Sequence, residues 1–326
     1  GRLRDRRGRR RCHLRPPALH RSGTGLIEFD DHFHFASGRA MPRPLAALVV
    51  ALTLLPLACS DAGRAAGPPS VVTTVYPLSF VVDRIGGEGV RATDLVPSGA
   101  EPHDLELTPG QVRILAEADL VFYVGGGFQP AVEDAIQDLG ENAVDVLDGL
   151  EVRDEGEIDP HVWLDPLRLS RIAKEVVDRL VDTDPERADE YRTNFVVLRR
   201  DLLGLDNELA RGLSGCARDE FVTAHEAFGY LAARYDLTQI SLSGFDPEAE
   251  PSPGRLAEVV RAAQGLDLEV IFYEELVSPA TAEALASELG VRTEVLSPLE
   301  SAPESGDYFT AMRRNMKVLG KALDCE

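Results

Sequence analysis

Three histidines stand out because the rest of the chain is poor in histidine. The 326-residue sequence has seven, and four of them lie within residues 1–40. The others, His103, His161 and His225, each fall in a loop or at the start of a helical pattern. Neutral imidazole binds Zn²⁺, Cu²⁺, Ni²⁺ and Fe²⁺ well, and three imidazoles with one open or carboxylate position form a known zinc site. Together they predict a transition-metal site, although each histidine alone is compatible with a structural or surface role.

The distribution of charge argues against a nucleic-acid partner. The whole chain has a formal charge of −21, but residues 1–40 contain ten arginines and only four acidic residues. The remainder of the chain therefore carries a charge of −27. Such an acidic protein repels the phosphate backbones of nucleic acids, and its charge is compatible with a cation as the ligand.

Residues 41–59 have the pattern of an export signal. Met41 is followed by a basic residue, Arg43, and by an apolar stretch of 13 residues at Leu45–Leu57. This stretch is too short for a membrane-spanning helix, which needs about 20 apolar residues. The Leu-Ala-Cys sequence ending at Cys59 resembles the lipobox of bacterial lipoproteins, so we expect an exported protein anchored by lipidated Cys59 to the outer face of the cytoplasmic membrane. An ordinary cleaved signal and a periplasmic protein are the alternative.

The segments on either side of this signal have other compositions. Residues 1–40 do not begin with Met and show no apolar periodicity, so we interpret them as translated upstream sequence or a disordered leader, with a basic nucleic-acid-binding arm as the competing interpretation. Residues 60–70 are small, polar and rich in Gly and Pro, as is typical of a flexible tether. Export exposes a protein to oxidising conditions, so Cys216 and Cys325 can form a disulfide, with two free thiols as the alternative.

Short β-branched runs alternate with helical patterns, which predicts the elements that position the histidines. This alternation is typical of α/β lobes, each with a mainly parallel sheet and covering helices. Four strands are predicted in a first lobe, residues 71–165, at Val71–Tyr76, Ala92–Val96, Leu120–Val124 and Ala143–Leu147. Four more are predicted in a second lobe, residues 214–326, at Glu220–Thr223, Leu237–Ser241, Val270–Tyr273 and Thr293–Leu296.

A helical spine is predicted between the lobes at residues 166–213. It consists of a helix at Pro166–Asp182 and a longer one at Pro185–Leu213, whose roughly 29 residues would span about 43 Å. Its apolar residues recur at spacings of three and four, so one face is expected to pack against both lobes. Open α/β sheets bind ligands beyond the carboxyl ends of their strands, which places the expected site in the crevice between the lobes.

Several segments occur in the order found in a known family; they are Glu101–Glu106, Asp159–Pro166, Thr223–Leu231, Ile240–Pro253 and Tyr308–Asn315. Through them the chain from about residue 70 to 325 resembles the zinc/manganese substrate-binding proteins of bacterial ABC importers. The resemblance implies two α/β lobes joined by one rigid helix. It makes His103 and His161 metal ligands from the first lobe and His225 the ligand from the second. It also implies a monomer without enzymatic activity that delivers its metal to an importer permease.

The sequence departs from the family pattern in two places. Many relatives have an Asp ligand where this chain has Ser297, so the fourth position is left open among water, Glu300 and Glu101. The loop before His161 contains no histidine, unlike the His-rich loop of zinc-specific relatives. It is acidic instead, which predicts a solvated loop or weak capture of cations; its acidic residues are Glu151, Asp154, Glu155, Glu157 and Asp159.

The expected cargo is Zn²⁺, because three imidazoles without a certain carboxylate favour a borderline metal over Mn²⁺, which prefers oxygen ligands. Binding of Mn²⁺ or Fe²⁺ by the same class of importer protein is the alternative. A zinc-dependent hydrolase with Glu226 or Glu101 as its base is a second hypothesis, but the chain has no His-Glu-x-x-His run at His225. A surface adhesin is a third, since some relatives have been described in that way.

Overall fold

Two parallel four-stranded sheets form the framework of the structure, a computed structural model that describes residues 67–153 and 156–326. The first sheet has the order β2-β1-β3-β4 and consists of β1 Ser70–Thr73, β2 Arg91–Asp94, β3 Leu120–Tyr123 and β4 Ala143–Asp145. The second has the order β6-β5-β7-β8 and consists of β5 Glu220–Thr223, β6 Thr238–Ser241, β7 Val270–Tyr273 and β8 Arg292–Val295. The predicted fold class of two parallel-sheet α/β lobes is confirmed.

Nine helices of the described residues surround these sheets: α1 Tyr76–Gly86, α2 Pro109–Ala116, α3 Pro130–Ala135, α4 Pro166–Thr183, α5 Ala188–Gly212, α6 Gly229–Arg234, α7 Pro253–Gln264, α8 Ala280–Leu289 and α9 Tyr308–Ala322. Proline opens α2, α4 and α7, where its missing N–H costs no hydrogen bond. The carboxylate of Asp165 caps α4 by accepting from the N–H of Leu167. None of the helices in residues 67–153 and 156–326 is both long and apolar enough to span a membrane.

The helical spine differs from the prediction at its start. Residues Pro185–Arg187 form a 3-10 turn, and α5 begins only at Ala188. At about 1.5 Å per residue its 25 residues extend about 38 Å. The helix contacts α1 and α4 as well as α9, so it packs against elements of both lobes. The buried side chains on this face are Tyr191, Leu198, Leu202, Leu205 and Leu209, whereas Phe195 is only partly buried.

A disulfide between Cys216 and Cys325 joins the segment after α5 to the end of the chain. Next to it the backbone N–H groups of Ala217 and Arg218 donate to the carbonyls of Asp324 and Leu323. This cross-link lies at the amino end of β5. The predicted leader, signal, lipidation site at Cys59 and most of the tether lie outside the described residues, as do Asp154 and Glu155 of the acidic loop.

Candidate metal centre

Four side chains from four loops meet between the two sheets. His103, His161, His225 and Glu300 each offer one ligand atom, and these atoms all lie within 4.8 Å of one another. Oε1 of Glu300 is 3.3 Å from Nε2 of His103, 3.1 Å from Nε2 of His161 and 3.7 Å from Nε2 of His225. His161, His225 and Glu300 are buried, whereas the side chain of His103 keeps 10% of its surface exposed.

The four loops all follow the carboxyl ends of strands. The His103 loop comes after β2 and the His161 loop after β4, while His225 comes after β5 and Glu300 after β8. Parallel strands in a sheet present their carboxyl ends at one edge, which explains how residues far apart in sequence converge. The two sheets therefore determine where the cluster lies, and the loops determine the distances between its side chains.

The first lobe holds the His103 loop through a buried amide. The side-chain NH₂ of Gln129 donates to the carbonyls of Thr74 and Pro102 at 2.9 and 3.0 Å. The ring of His103 also packs edge-on against Phe128, with 4.5 Å between ring centroids. These contacts fix the most exposed member of the cluster from two sides.

Carboxylates orient the other two imidazoles through their Nδ1 atoms. Nδ1 of His161 lies 3.0 Å from Oδ1 of Asp159, and Nδ1 of His225 contacts Oε1 of Glu274. A carboxylate accepts the Nδ1–H of a neutral imidazole, so in each ring the lone pair of Nε2 is left for the cluster. A carboxylate behind a histidine ligand is the usual outer contact of a zinc site and raises the basicity of the ligand.

Glycine at the start of α6 lets the Asp159 loop approach. A Cβ atom on Gly229 would lie 2.9 Å from Oδ2 of Asp159, closer than real Cβ contacts. The hydroxyl of Tyr230 donates to the carbonyl of Asp159 at 3.1 Å. The segment after His225 in the second lobe thereby supports the residue that orients His161 in the first.

The electrostatics of the cluster are those of a cation site. Burial alone would lower the pKa of His225, but the charge of Glu274, its hydrogen bond to Nδ1 and the nearby carboxylate of Glu300 raise it to about 10. Burial also opposes protonation of His161, yet Asp159 and Glu300 raise its pKa. Burial would raise the pKa of Glu300, but hydrogen bonds from His103 and His161 and the nearby ring of His225 hold it well below its usual range. Positive charge is therefore stabilised at this place.

Two atoms of the cluster show that a cation fits. Nε2 of His225 and Oε2 of Glu300 are buried and have no hydrogen-bond partner among the described residues. A buried polar atom without a partner costs about 1–3 kcal/mol, and a coordinated cation would satisfy both atoms at once. Three imidazole nitrogens and one carboxylate oxygen suit Zn²⁺, which usually takes four ligands in a tetrahedral arrangement and binds imidazole nitrogen well.

The remaining candidates from the sequence lie beside the cluster rather than in it. Ser297 donates its hydroxyl to Oε2 of Glu275 at 3.4 Å. Glu101 accepts the backbone N–H of His103 at 3.1 Å, and burial followed by repulsion from Glu300 raises its pKa to about 8. Glu226 accepts from the hydroxyl of Ser241 at 3.3 Å. None of these residues belongs to the cluster of four.

Glu274 is the site residue that the sequence analysis missed. It comes directly after β7, at the same sheet edge as His225 after β5. Because β5 and β7 are hydrogen-bonded neighbours, a carboxylate at the first position after β7 had to lie near His225. The position of an acid immediately after a buried strand was therefore a usable signal.

An open cavity of about 490 Å³ leads to the cluster past His103. Phe128 of the first lobe and Phe245 of the second line it, and the ring of Phe245 lies 6.2 Å from the ring of His161. Two acidic residues, Glu157 and Asp246, also line the cavity. Since His103 is the cluster member that lines this cavity, a cation entering here meets His103 first.

Comparison with known proteins identifies relatives over most of the chain. Residues 71–322 match the sequence profile of the family described as ZnuA, zinc-uptake complex component A, periplasmic. The zinc-binding lipoprotein AdcA of Streptococcus pneumoniae is 33% identical over 294 residues, which cover 83% of this chain and 59% of AdcA. The high-affinity zinc uptake system protein ZnuA of Bacillus subtilis is 32% identical over 306 residues, covering 85% of this chain and 96% of that protein. This chain spans 57–59% of the length of the streptococcal AdcA proteins.

Solved structures of zinc-binding and metal-transporting proteins also match this chain. The Zn(II)-bound ZnuA-like domain of S. pneumoniae AdcA has a TM-score of 0.70 and 33% identity, covering 79% of this chain and all of that domain. The laminin-binding protein Lmb of Streptococcus agalactiae, described as bifunctional with adhesin and metal-transporting activity, has a TM-score of 0.74 and 30% identity. The match covers 78% of this chain and 99% of the Lmb chain.

Proposed function

Because this chain belongs to the ZnuA family of periplasmic zinc-uptake components, we propose that it binds Zn²⁺ with high affinity outside the cytoplasm and delivers the ion to the permease of an ABC importer. The observation that carries the proposal is the convergence of His103, His161, His225 and Glu300 within 4.8 Å. In this proposal the four side chains are the ligands of the transported ion. Zn²⁺ is thus a substrate and not a resident cofactor.

The chemistry of the ligands favours Zn²⁺ over Mn²⁺. Three of the four proposed ligand atoms are imidazole nitrogens, whereas Mn²⁺ prefers oxygen ligands and more of them. The relatives named as zinc-binding proteins support the same choice. Glu300 takes the fourth position in the proposal, in place of water or Glu101.

The proposed cellular setting follows from the N-terminal sequence and from the relatives. We propose that the protein is exported and that lipidated Cys59 anchors it to the outer face of the cytoplasmic membrane, as the name lipoprotein indicates for AdcA. The tether after Cys59 would let a monomer reach its permease. The proposal includes the predicted division of the chain, which is a leader at 1–40, a signal at 41–59, a tether at 60–70 and two lobes around a helical spine at 166–213.

We propose that the protein is a carrier and has no enzymatic activity. The zinc-hydrolase hypothesis needs an open coordination position and a base beside it. Here a carboxylate lies among the three histidines, and Glu226, which accepts from the hydroxyl of Ser241, is not one of the four residues of the cluster. Incubation of the zinc-loaded protein with ester and phosphate substrates should give no turnover; zinc-dependent hydrolysis that is lost in His225→Ala would contradict the carrier proposal.

The function is tested by titrating Zn²⁺ against the chelator-stripped full-length chain in detergent, with a competing chelator to reach tight affinities. We expect one ion per chain and a Kd of about 1 nM or below. Mn²⁺ titrated in the same way should bind at least about a hundredfold more weakly, which is about 2.7 kcal/mol. Weak or non-stoichiometric Zn²⁺ binding would overturn the proposal.

Adhesion is a second candidate because Lmb, a structural relative, is described as an adhesin as well as a metal transporter. Binding of the zinc-loaded chain to immobilised laminin, with bovine albumin as the control surface, tests it. Saturable binding to laminin alone would add adhesion to the proposed transport. Equal retention on both surfaces would exclude it.

A further inference from the structure

The loop that carries Glu300 is held by groups from both sides of the metal centre. It runs from Leu296 at the end of the second sheet to Glu300, and its backbone groups bond to residues of α9 and of the first lobe. These contacts involve no metal ligand other than Glu300 itself. They determine where the carboxylate of Glu300 can lie.

The buried side-chain amide of Asn315, on α9, hydrogen-bonds to the backbone of Ser297. Oδ1 of Asn315 accepts the N–H of Ser297 at 3.1 Å, and Nδ2 donates to the carbonyl of Ser297 at 2.6 Å. One amide thus satisfies both backbone groups of one residue, as a neighbouring strand would, and only one orientation of the amide does this. Asn315 is 3% exposed, so water does not replace these bonds without rearrangement.

From the first lobe Trp163 and Tyr76 hold the other end of the loop. The indole N–H of Trp163 donates to the carbonyl of Pro298 at 2.7 Å, and the N–H of Tyr76 donates to the carbonyl of Glu300 at 3.2 Å. Trp163 lies two residues after His161 and its ring centroid is 5.4 Å from that imidazole. The same residue therefore contacts one proposed ligand and fixes the loop of another.

The loop also contains backbone strain next to Glu300. Leu299 has a φ of 60° in the left-handed region, which is unfavourable for a residue with a side chain, and it is 1% exposed. A strained conformation persists only where surrounding contacts over-determine it, and here the bonds to Ser297, Pro298 and Glu300 do so. Without them the turn at Leu299 would relax and move the carboxylate.

We propose that Asn315 and Trp163 are positioning residues for metal binding, which hold the strained Ser297–Glu300 turn so that the Glu300 carboxylate meets the three histidines. The inference rests on the proposed function, since it assumes that Glu300 is a ligand. The bond from Trp163 to Pro298 crosses from the first lobe to the second, so both lobes take part in placing the carboxylate.

The test is a thermodynamic cycle on the full-length chain, with Zn²⁺ affinity measured by chelator competition. Asn315→Leu keeps the size of the side chain and removes both bonds, and it should lower affinity at least about tenfold. In a Glu300→Ala background the same substitution should change affinity less than about twofold, because its effect acts through Glu300. Trp163→Phe removes the bond to Pro298 and should also lower affinity in the wild-type background; because its ring contacts His161 as well, part of this effect should remain in the Glu300→Ala background.

Two further variants separate positioning from general loss of stability. Asn315→Ala removes the same two bonds with a smaller side chain, so it should lower affinity as Asn315→Leu does and also covers the case in which the latter does not fold. Asn194→Leu is the matched control, because the amide of Asn194 donates to the backbone carbonyl of Ile85, within α1 and away from the Ser297–Glu300 loop. It should lower the melting temperature but leave Zn²⁺ affinity and the visible spectrum of the Co²⁺-loaded protein unchanged.

The outcomes distinguish the proposed zinc-binding function from the positioning role of Asn315 and Trp163. If wild type does not bind Zn²⁺ tightly, the proposed function fails. If wild type binds and Glu300→Ala weakens binding, but Asn315→Leu has no effect or has an equal effect in both backgrounds, only the positioning role is overturned. An altered Co²⁺ spectrum in Asn315→Leu, with none in Asn194→Leu, supports the positioning role.

Discussion

The carboxylate of Glu274 contacts Nδ1 of His225, the ring nitrogen that does not face Glu300. Both groups are buried, so this pair is shielded from solvent. The contact fixes the ring so that Nε2 points into the cluster and supplies a negative charge behind it. Glu274 thus shapes the proposed ligand without belonging to the ligand set.

Replacing Glu274 should therefore weaken metal binding without removing a ligand. Outer carboxylates of this kind typically contribute 10–100-fold to metal affinity, so Glu274→Gln should raise the Kd for Zn²⁺ about tenfold or more. Because Glu274 is a main cause of the raised pKa of His225, fewer protons should be released per Zn²⁺ bound. Calorimetry in two buffers of different ionisation enthalpy measures both quantities.

The neighbouring residue provides a matched control for that change. The carboxylate of Glu275 accepts from the hydroxyl of Ser297 and lies outside the cluster. Glu275→Gln should leave the Kd within about twofold and proton release unchanged. Equal effects of Glu274→Gln and Glu275→Gln would show that only the overall charge matters and that the contact to His225 does not.

The three histidines should each be needed for tight binding. His103→Ala, His161→Ala and His225→Ala should each lower Zn²⁺ affinity at least tenfold, about 1.4 kcal/mol, because each removes one proposed ligand atom. Thr193→Ala is the control, since the hydroxyl of this exposed residue donates to the backbone carbonyl of Asp189 within α5, away from the cluster. An unchanged isotherm for any histidine variant would remove that residue from the site.

The fourth ligand is tested by comparing the buried Glu300 with the partly buried Glu101. Glu300→Gln weakens the donor atom that lies 3.1–3.7 Å from the three imidazoles, so affinity should fall at least about tenfold. Glu101→Gln makes the same chemical change next to the cluster, and we expect a smaller loss because Glu101 contacts the backbone of His103. The reverse order of effects, measured by competition titration, would make Glu101 the fourth ligand.

Metal affinity should rise with pH across the physiological range. Without metal, the raised pKa of His225, about 10, keeps its imidazole protonated near neutrality, and the pKa of His161 is raised as well. Zn²⁺ binds the neutral rings and must displace these protons, so affinity falls as pH falls, by about tenfold per pH unit for each proton released. Titrations between about pH 8.5 and 5.5 measure this slope. A flat profile would mean that the rings are neutral before metal arrives.

Much of the fold could be predicted because local pattern and global architecture agree. Every predicted strand overlaps an observed one, and the central strands β1, β3, β5 and β7 are the largely buried ones, as the apolar β-branched runs indicate. The convergence of His103, His161 and His225 was expected from their places after predicted strands. The start of α5 differed because Pro185–Arg187 take a 3-10 turn that propensity does not separate from α-helix.

The fourth member of the cluster could not be chosen from the sequence for a physical reason. Whether Glu300 reaches the histidines depends on the left-handed conformation of Leu299, which no leucine signals in advance. That conformation is held by Asn315 and Trp163, residues 16 positions later and well over a hundred earlier in the chain. Sequence spacing alone therefore left water, Glu300 and Glu101 open.

The disulfide should stabilise the fold without affecting metal binding. Cys216 and Cys325 are separated by 109 positions, and closing a loop of about 100 residues is worth up to about 4.7 kcal/mol in the chain-entropy treatment. The bridge lies at the amino end of β5, whereas His225 follows its carboxyl end. The double substitution of both cysteines by serine should lower the free energy of unfolding by about 2–4 kcal/mol in urea titrations. The Kd for Zn²⁺ should stay within about twofold, since the sheet between bridge and site remains intact; a large loss of affinity would show that α9 moves when the bridge is absent and carries Asn315 with it.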